Sequence, residues 1–311
     1  MVSKVIPILL LFLLGVWIKH INFISKEGMK AIKKWAASLA LPVVLFKTFI
    51  YIKLEKEYFI VVILMYILFT TLMLVGALLN RIPQLRQNLN QYMATAFSFG
   101  LIGLPLFEII HGQENMGIFT IIGLGHELFV WTIYYGSIRM ASTGETFSLK
   151  EVLKVLKSPL IISVFLGLTF NILNVPVLLK ENELWLGFME TVEYISLTAT
   201  PLILVALGYG MEIQPIYLKK SIPLILTRFI ATVIVGIPFK FITELFIGPS
   251  ILFDVSYISF LLLPPIFSLP MLFGENVDDE DISVLTNAIS IFTVFSLIIF
   301  IAYSFYAVNI L

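Results

Sequence analysis

The chain reads as an all-α polytopic membrane protein, and three observations point there. Of 311 residues, 59% are apolar and only 13% charged, where a soluble domain carries about 25% charged residues. Mean hydropathy is +1.00. Apolar runs of bilayer-crossing length recur from one end to the other. Together these exclude a soluble globular protein, a disordered chain and a nucleic-acid binder. The formal net charge of +0 offers no field for polyanions, and the absence of cysteine removes disulfides, thiol chemistry and Cys-based metal sites.

A helix needs about 20 mostly apolar residues to cross the hydrocarbon core. Ten stretches qualify, approximately 3–18, 31–52, 58–80, 92–111, 116–138, 158–179, 185–210, 221–247, 251–273 and 282–308. Lys4 and the apolar Ile8–Leu14 give the first stretch the look of a signal peptide, but Pro7 interrupts it and no small-x-small cleavage site follows. It is therefore read as a transmembrane helix. The third stretch stops at Asn80-Arg81-Ile82-Pro83, a polar end followed by a helix breaker. Membrane β-strands alternate apolar and polar residues; runs such as Leu9–Leu14 do not.

Basic residues set the orientation. One side holds Lys19, Lys26, Lys30, Lys33, Lys34, Arg81, Arg86, Arg139, Lys150, Lys154, Lys157, Lys219 and Lys220; the other holds Lys4, Lys47, Lys53, Lys56, Lys180 and Lys240. The richer side is cytoplasmic, which leaves both termini outside a plasma membrane. Arg228 belongs to neither side. Two turns into the eighth stretch, it either snorkels toward the cytoplasm or faces a polar cavity.

The hydrophilic connection 140–157 divides the chain into a first five-helix repeat, 1–139, and a second, 158–311. Pro7 and Gly15 of the first helix match Pro159 and Gly167 of the sixth. Ala40-Leu41-Pro42 of the second matches Ala199-Thr200-Pro201 of the seventh, and Gly103-Leu104-Pro105 of the fourth matches Pro264-Pro265 of the ninth. Five spans per repeat start the second half on the opposite side of the membrane, so the repeats are inverted, an arrangement suited to alternating access.

An interior proline removes a backbone hydrogen bond and clashes with the preceding turn. In lipid the freed groups must find protein or a wet cavity. Pro105 near the middle of helix four, and Pro264 and Pro265 near the middle of helix nine, predict two broken helices that cross at the midplane. Their second halves, starting near Pro105 and Pro265, would aim positive dipole ends at one point, an anion-binding geometry without a fixed cation. Simple kinks are the alternative.

His126 and Glu127 lie in the middle of helix five, where ionisable groups mark proton coupling, substrate contact or a neutral hydrogen-bonded lock. About 100° apart on a helix, they are not expected to share one partner. Glu108 follows Pro105 by one turn and lines the cavity or the outer interface. Asn287, Thr286 and Ser290 give helix ten a polar face, as Ser98 and Thr95 do for helix four. Asp278-Asp279-Glu280-Asp281 reads as a cap for helix ten rather than a metal site. No H-E-x-x-H, G-x-S-x-G or Walker motif occurs, so neither an enzyme nor a cofactor is expected.

Gly15-Val16-Trp17-Ile18 through Lys26, Leu41-Pro42-Val43-Val44-Leu45-Phe46, Gly100–Leu106, Ser158–Ile162, Ala199–Gly208 and Leu263-Pro264-Pro265 with Pro270 and Phe273-Gly274-Glu275 resemble the auxin efflux carrier family over nearly the whole chain. The resemblance implies a scaffold of helices 1, 2, 6 and 7 and a moving transport domain of helices 3–5 and 8–10. It further implies elevator-like transport and a substrate site at the crossover of helices four and nine. Carried over, Pro105 and Pro265 are crossover prolines with Gly103 beside the first. Ser98 stands where many relatives have asparagine, and the long cytoplasmic loop of plant members is missing. The expected function is secondary transport of a small organic anion bound at Ser98, Gly103, Pro105, Pro264, Pro265 and Asn287, with His126 and Glu127 as coupling candidates. The lipid bilayer and a second copy of the chain are the candidate partners. A ligand sensor that keeps the carrier fold is the alternative, with an intramembrane enzyme a distant third.

Overall fold

The computed structural model describes residues 2–52, 56–143, 158–267, 269–273, 277–308 and 310. Most of the 140–157 connection, and Gly274-Glu275, lie outside the described residues. Among the described residues the fold is helical, and the sole strand-like pairing is one isolated bridge. The elements are α1 (Val2–His20), α2 (Lys26–Trp35), α3 (Leu41–Tyr51), α4 (Lys56–Leu79), α5 (Asn90–Met93), α6 (Leu104–His111), α7 (Met116–Phe129), α8 (Tyr135–Thr143), α9 (Pro159–Ile172), α10 (Val175–Leu178), α11 (Glu183–Gly210), α12 (Leu218–Ala231), α13 (Ile237–Ile247), α14 (Ile251–Leu261), α15 (Leu269–Leu272) and α16 (Asp279–Ala307).

Among the described residues seven continuous helical runs are long and apolar enough to cross a membrane: Ser3–His20, Lys26–Tyr51, Lys56–Leu79, Gln113–Ala141, Glu183–Gly210, Pro215–Ile247 and Asp279–Ala307. The other three expected stretches hold only shorter apolar helices, Phe99–His111, Pro159–Ile172 and Ile251–Leu261. In the first, helix ends at Met93 and resumes at Phe99. In the second, α9 ends before Asn174, whose φ of 53° puts it in the left-handed region that asparagine tolerates. In the third, helix stops at Leu261 ahead of Pro264-Pro265.

Three π-helical turns precede a proline two residues on: Ala36–Ala40 before Pro42, Phe99–Gly103 before Pro105, and Thr232–Gly236 before Pro238. A proline withholds its N–H and crowds the preceding turn. A widened turn absorbs that defect while the helix runs on. Pro105 therefore sits inside a helical run, and the run begins at Phe99 rather than near the proline.

The chain divides into two compact units. The first contains Met1–Leu54, Gly100–Thr120 and Leu153–Met211; the second contains Glu55–Phe99, Ile121–Val152 and Glu212–Leu311. In the first unit α1 crosses α11 at facing glycines. A Cβ on Gly15 would lie 2.0 Å from the Val205 carbonyl oxygen, and one on Gly208 would lie 1.9 Å from that of Phe12. Small residues are what allow membrane helices so close an approach. Gly167 of α9 packs on α3 in the same way, 2.8 Å from the Phe46 carbonyl oxygen. Asn171 ties the end of α9 to the Ile50 and Ile52 carbonyls at 3.0 and 2.8 Å. Phe46, Ile50, Trp185 and Val192 form a buried cluster, and Lys47 pairs with Glu193.

In the second unit α12 packs against α16, α4 and α5. Asp278 caps α16 by accepting from the Glu280 amide at 3.1 Å, Glu280 pairs with Lys220, and Asp281 accepts from Asn88 at 2.9 Å. The acidic run thus has helix-capping and surface partners, and no metal-binding cluster occurs among the described residues.

The glycine crossing yields a stability prediction. Gly208→Ala, which drives a methyl into backbone, should lower the thermal midpoint of the purified protein, since overpacking costs about 1–3 kcal/mol. Gly187→Ala, on the same helix with nothing within 4 Å, should leave the midpoint unchanged or raise it. Equal effects would contradict the close crossing.

Candidate functional site

The second unit contains two stretches where helix gives way, residues 94–98 after α5 and residues 262–267 after α14. The two stretches meet. Phe97 and Pro265 form an antiparallel bridge, and the Ser98 amide donates to the Pro264 carbonyl at 2.8 Å. Backbone freed from a helix and shielded from water needs partners, and several of them can be named here.

On the first stretch the Met93 and Ala96 carbonyls accept from Arg228 Nη1 at 2.8 and 3.0 Å. The Phe97 amide donates to His126 Nε2 at 2.9 Å, and the Phe97 carbonyl accepts from the Phe99 amide at 2.8 Å. On the second stretch the Leu262 carbonyl accepts from the Ser296 hydroxyl and the Leu263 carbonyl from Arg228 Nη2 at 3.0 Å. Pro264 and Pro265 carry no N–H, so the double proline removes two donors that this segment would otherwise have to place.

Arg228 is fully buried on α12, with its guanidinium carbon 4.1 Å from the Phe97 ring centroid and 5.1 Å from that of Phe292. It neither snorkels nor stands in an open cavity; it clamps both interruptions. The crossing therefore has a fixed cation, contrary to the expectation of dipole ends alone. That cation sits on the carbonyl side of the breaks, where helix C-termini favour positive charge.

His126 is equally buried, within 4.8 Å of the Phe69 ring and 5.4 Å of the Phe260 ring by centroid. Because Nε2 accepts a hydrogen bond, the ring proton of the neutral form sits on Nδ1. Nδ1 lies 3.5 Å from Glu127 Oε1, and Glu127 Oε2 accepts from Trp131 Nε1 at 2.9 Å. The two side chains lie near one another yet serve different partners, His126 the Phe97 amide and Glu127 the Trp131 indole, in keeping with the angular expectation. The backbone around them must be bare. A Cβ on Gly123 would lie 2.0 Å from the Phe99 ring, and one on Gly125 would lie 2.7 Å from Met65 and from the Val62 carbonyl. The run Gly123-Leu124-Gly125-His126 was the available sequence signal for this packing.

Of the residues singled out by sequence, the structure brings Ser98, Pro264 and Pro265 together and hangs His126, with Glu127 beside it, on the neighbouring Phe97. Asn287 belongs to the same unit but serves other partners: Oδ1 accepts from the Gln214 amide at 2.6 Å and Nδ2 donates to Ser221 Oγ at 2.9 Å. Ser290 likewise accepts from the Glu212 amide at 3.1 Å. Gly103 and Pro105 are buried in the first unit. Glu108 of α6 is also in that unit. A cavity of about 120 Å³ beside Leu262, lined by Phe229, Phe292, Phe295 and Ser296 among others, is mainly apolar and brings no charge.

Crossing-length apolar helices, together with paired interruptions joined around a buried charge, define a polytopic integral membrane protein with a polar centre inside one unit. The sequence pattern of the family described as membrane transport protein, of auxin efflux carrier type, matches residues 1–256, and the chain belongs to that family. No protein with a curated description matches it.

The histidine latch is testable. His126→Ala leaves the Phe97 amide without an acceptor and should destabilise the protein by about 1–3 kcal/mol. His126→Gln, which can place an acceptor near the position of Nε2, should lose less in the same thermal unfolding measurement. Equal losses would show that the hydrogen bond is not what His126 contributes.

Proposed function

We propose that the protein is a secondary carrier that moves a small organic anion of the carboxylate class across the plasma membrane by alternating access, with both termini outside. Family membership supports transport. The observation that carries the rest is the junction at Ser98 and Pro264, where two interrupted stretches pair backbone to backbone beside a buried guanidinium. In carriers with discontinuous helices, such breaks are where substrates and coupling ions bind. On this reading the fourth and ninth spans of two inverted five-helix repeats are broken, and their crossover holds the substrate. Ser98, Pro264 and Pro265 are its proposed contacts, Gly103 and Pro105 are proposed to shape the helix that follows Ser98, and Asn287 is proposed to steady the connection before α12.

The division into two units supports an elevator-like movement. One unit holds the first, second, sixth and seventh spans, the proposed scaffold, and the other holds the third, eighth, ninth and tenth with most of the fifth; the fourth is divided, with 92–99 in the second unit and 100–111 in the first. His126 and Glu127 are the proposed proton-coupling pair. His126 Nε2 accepts from Phe97 only while unprotonated. A second proton can add only at Nε2, so protonation would break this bond and release the unwound segment, and the Glu127 carboxylate, 3.5 Å from Nδ1, would stabilise the resulting imidazolium.

Purified protein in liposomes should take up labelled mono- or dicarboxylates, and Pro105→Ala should lower uptake about tenfold, the equivalent of roughly 1.4 kcal/mol. Unchanged uptake in that variant would refute the crossover site, and carboxylate binding without flux would make the protein a sensor. Glu127→Gln should flatten the pH dependence of flux; an unaltered profile would leave Glu127 a structural group.

A further inference from the structure

Arg228 poses an energetic question. It is fully buried, and among the described residues no carboxylate pairs with it. An unpaired charge in a low-dielectric interior costs several kcal/mol. Main-chain oxygen atoms compensate at Nη1 and Nη2, while the buried Nε has no hydrogen-bond partner among the described residues. Met93 and Ala96 come from one interruption and Leu263 from the other, at 2.8, 3.0 and 3.0 Å. Met93 is the last residue of α5, and Leu263 follows the end of α14. Carbonyls at helix ends have no intrahelical donor and carry the negative end of the peptide dipoles. Phe97 and Phe292 add their ring faces, which attract a cation further.

Neutral carbonyl oxygens converging from two unwound segments, with no carboxylate among them, are the donor set that discontinuous-helix carriers present to a coupling sodium ion. Here a side chain fills it. We infer that Arg228 is a resident cation: it permanently occupies the carbonyl seat that an alkali ion would otherwise take, so this carrier binds and moves its substrate without sodium or potassium. A covalently held charge cannot be released on the far side of the membrane, and no alkali gradient can be drawn down through this seat. The statement about transport rests on the carrier reading above; the statement about the seat does not.

The test therefore reads the seat first without substrate. Thermal unfolding of the purified full-length protein is measured in sodium, potassium and choline chloride at equal ionic strength. The expected midpoints coincide. Sodium-specific or potassium-specific stabilisation of the wild type would overturn the inference. Arg228→Lys retains the charge and offers three donors, one for each carbonyl, whereas Arg228→Gln retains donors without charge. The lysine variant should keep most of the wild-type midpoint and the glutamine variant should fall well below it. A glutamine variant as stable as the lysine variant would show that charge is not what the seat requires. If the glutamine variant does not fold, the wild-type salt series and the lysine midpoint still decide the question. In a second arm a carboxylate panel is added to the wild type in choline buffer. Stabilisation there equal to that in sodium supports alkali-free binding, and stabilisation seen only with sodium overturns it. Should no carboxylate stabilise the wild type in any salt, the carrier reading fails, and the salt series still reports on the seat alone.

Discussion

The second unit depends on one constraint: a buried peptide group removed from a helix must be given a partner by the protein itself. Two interruptions leave several such groups close together, and a single guanidinium gathers three of their carbonyls. A buried arginine and an unwound segment are each costly alone. Set together, each answers the other's need, since the arginine supplies donors and charge and the segments supply acceptors and dipole ends. The remaining groups follow the same logic. His126 takes the Phe97 amide, the Pro264 carbonyl takes the Ser98 amide, and Pro265 presents no amide at all.

Elsewhere the helices solve the proline problem without unwinding. Pro42, Pro105 and Pro238 each follow a π-helical turn inside a continuous run. Proline alone is thus not what interrupts a helix here. The two breaks open where outside partners exist for the freed groups. Tight glycine contacts then fix the neighbours in place: Gly123 lies under the Phe99 ring, and Gly125 lies against α4.

Much of this was legible in the sequence, and what was not has a physical reason. Seven of the ten expected stretches are crossing-length helical runs among the described residues, because apolar length is a local property, while the other three hold only shorter helices. Pro264-Pro265 marked its interruption closely, since two missing donors act on their own segment. The fourth span was read less well. Its break covers Ala94-Thr95-Ala96-Phe97-Ser98, which contains no helix breaker, while Pro105 lies inside the helix that follows. That break is imposed by Arg228 and His126, which are distant in the chain. Arg228 stood out as a charge in an apolar helix, but its depth alone did not separate snorkelling from clamping; the deciding partners lie more than a hundred residues earlier, at Met93 and Ala96, and beyond α13, at Leu263. Asn287 looked like a polar face awaiting a ligand, whereas its amide is already engaged by Gln214 and Ser221. Polar residues on a membrane helix announce that a partner is needed, not which partner it is.

On the proposed carrier reading, the positive charge belongs to the protein and would travel with the unit that holds it, and a carboxylate would meet a charge already partly screened by carbonyls. Whether the two interruptions truly pair is open to direct measurement, because the chain has no cysteine of its own. Phe97→Cys combined with Pro265→Cys places two thiols across the antiparallel bridge, within the Cα separation of about 4.4–6.8 Å that a disulfide spans. Mild oxidation in native membranes should join them within one chain, as read by mass spectrometry of the linked peptides. Two thiols that stay free, while each single variant is fully labelled by a small maleimide, would place the segments apart and remove the basis of the account.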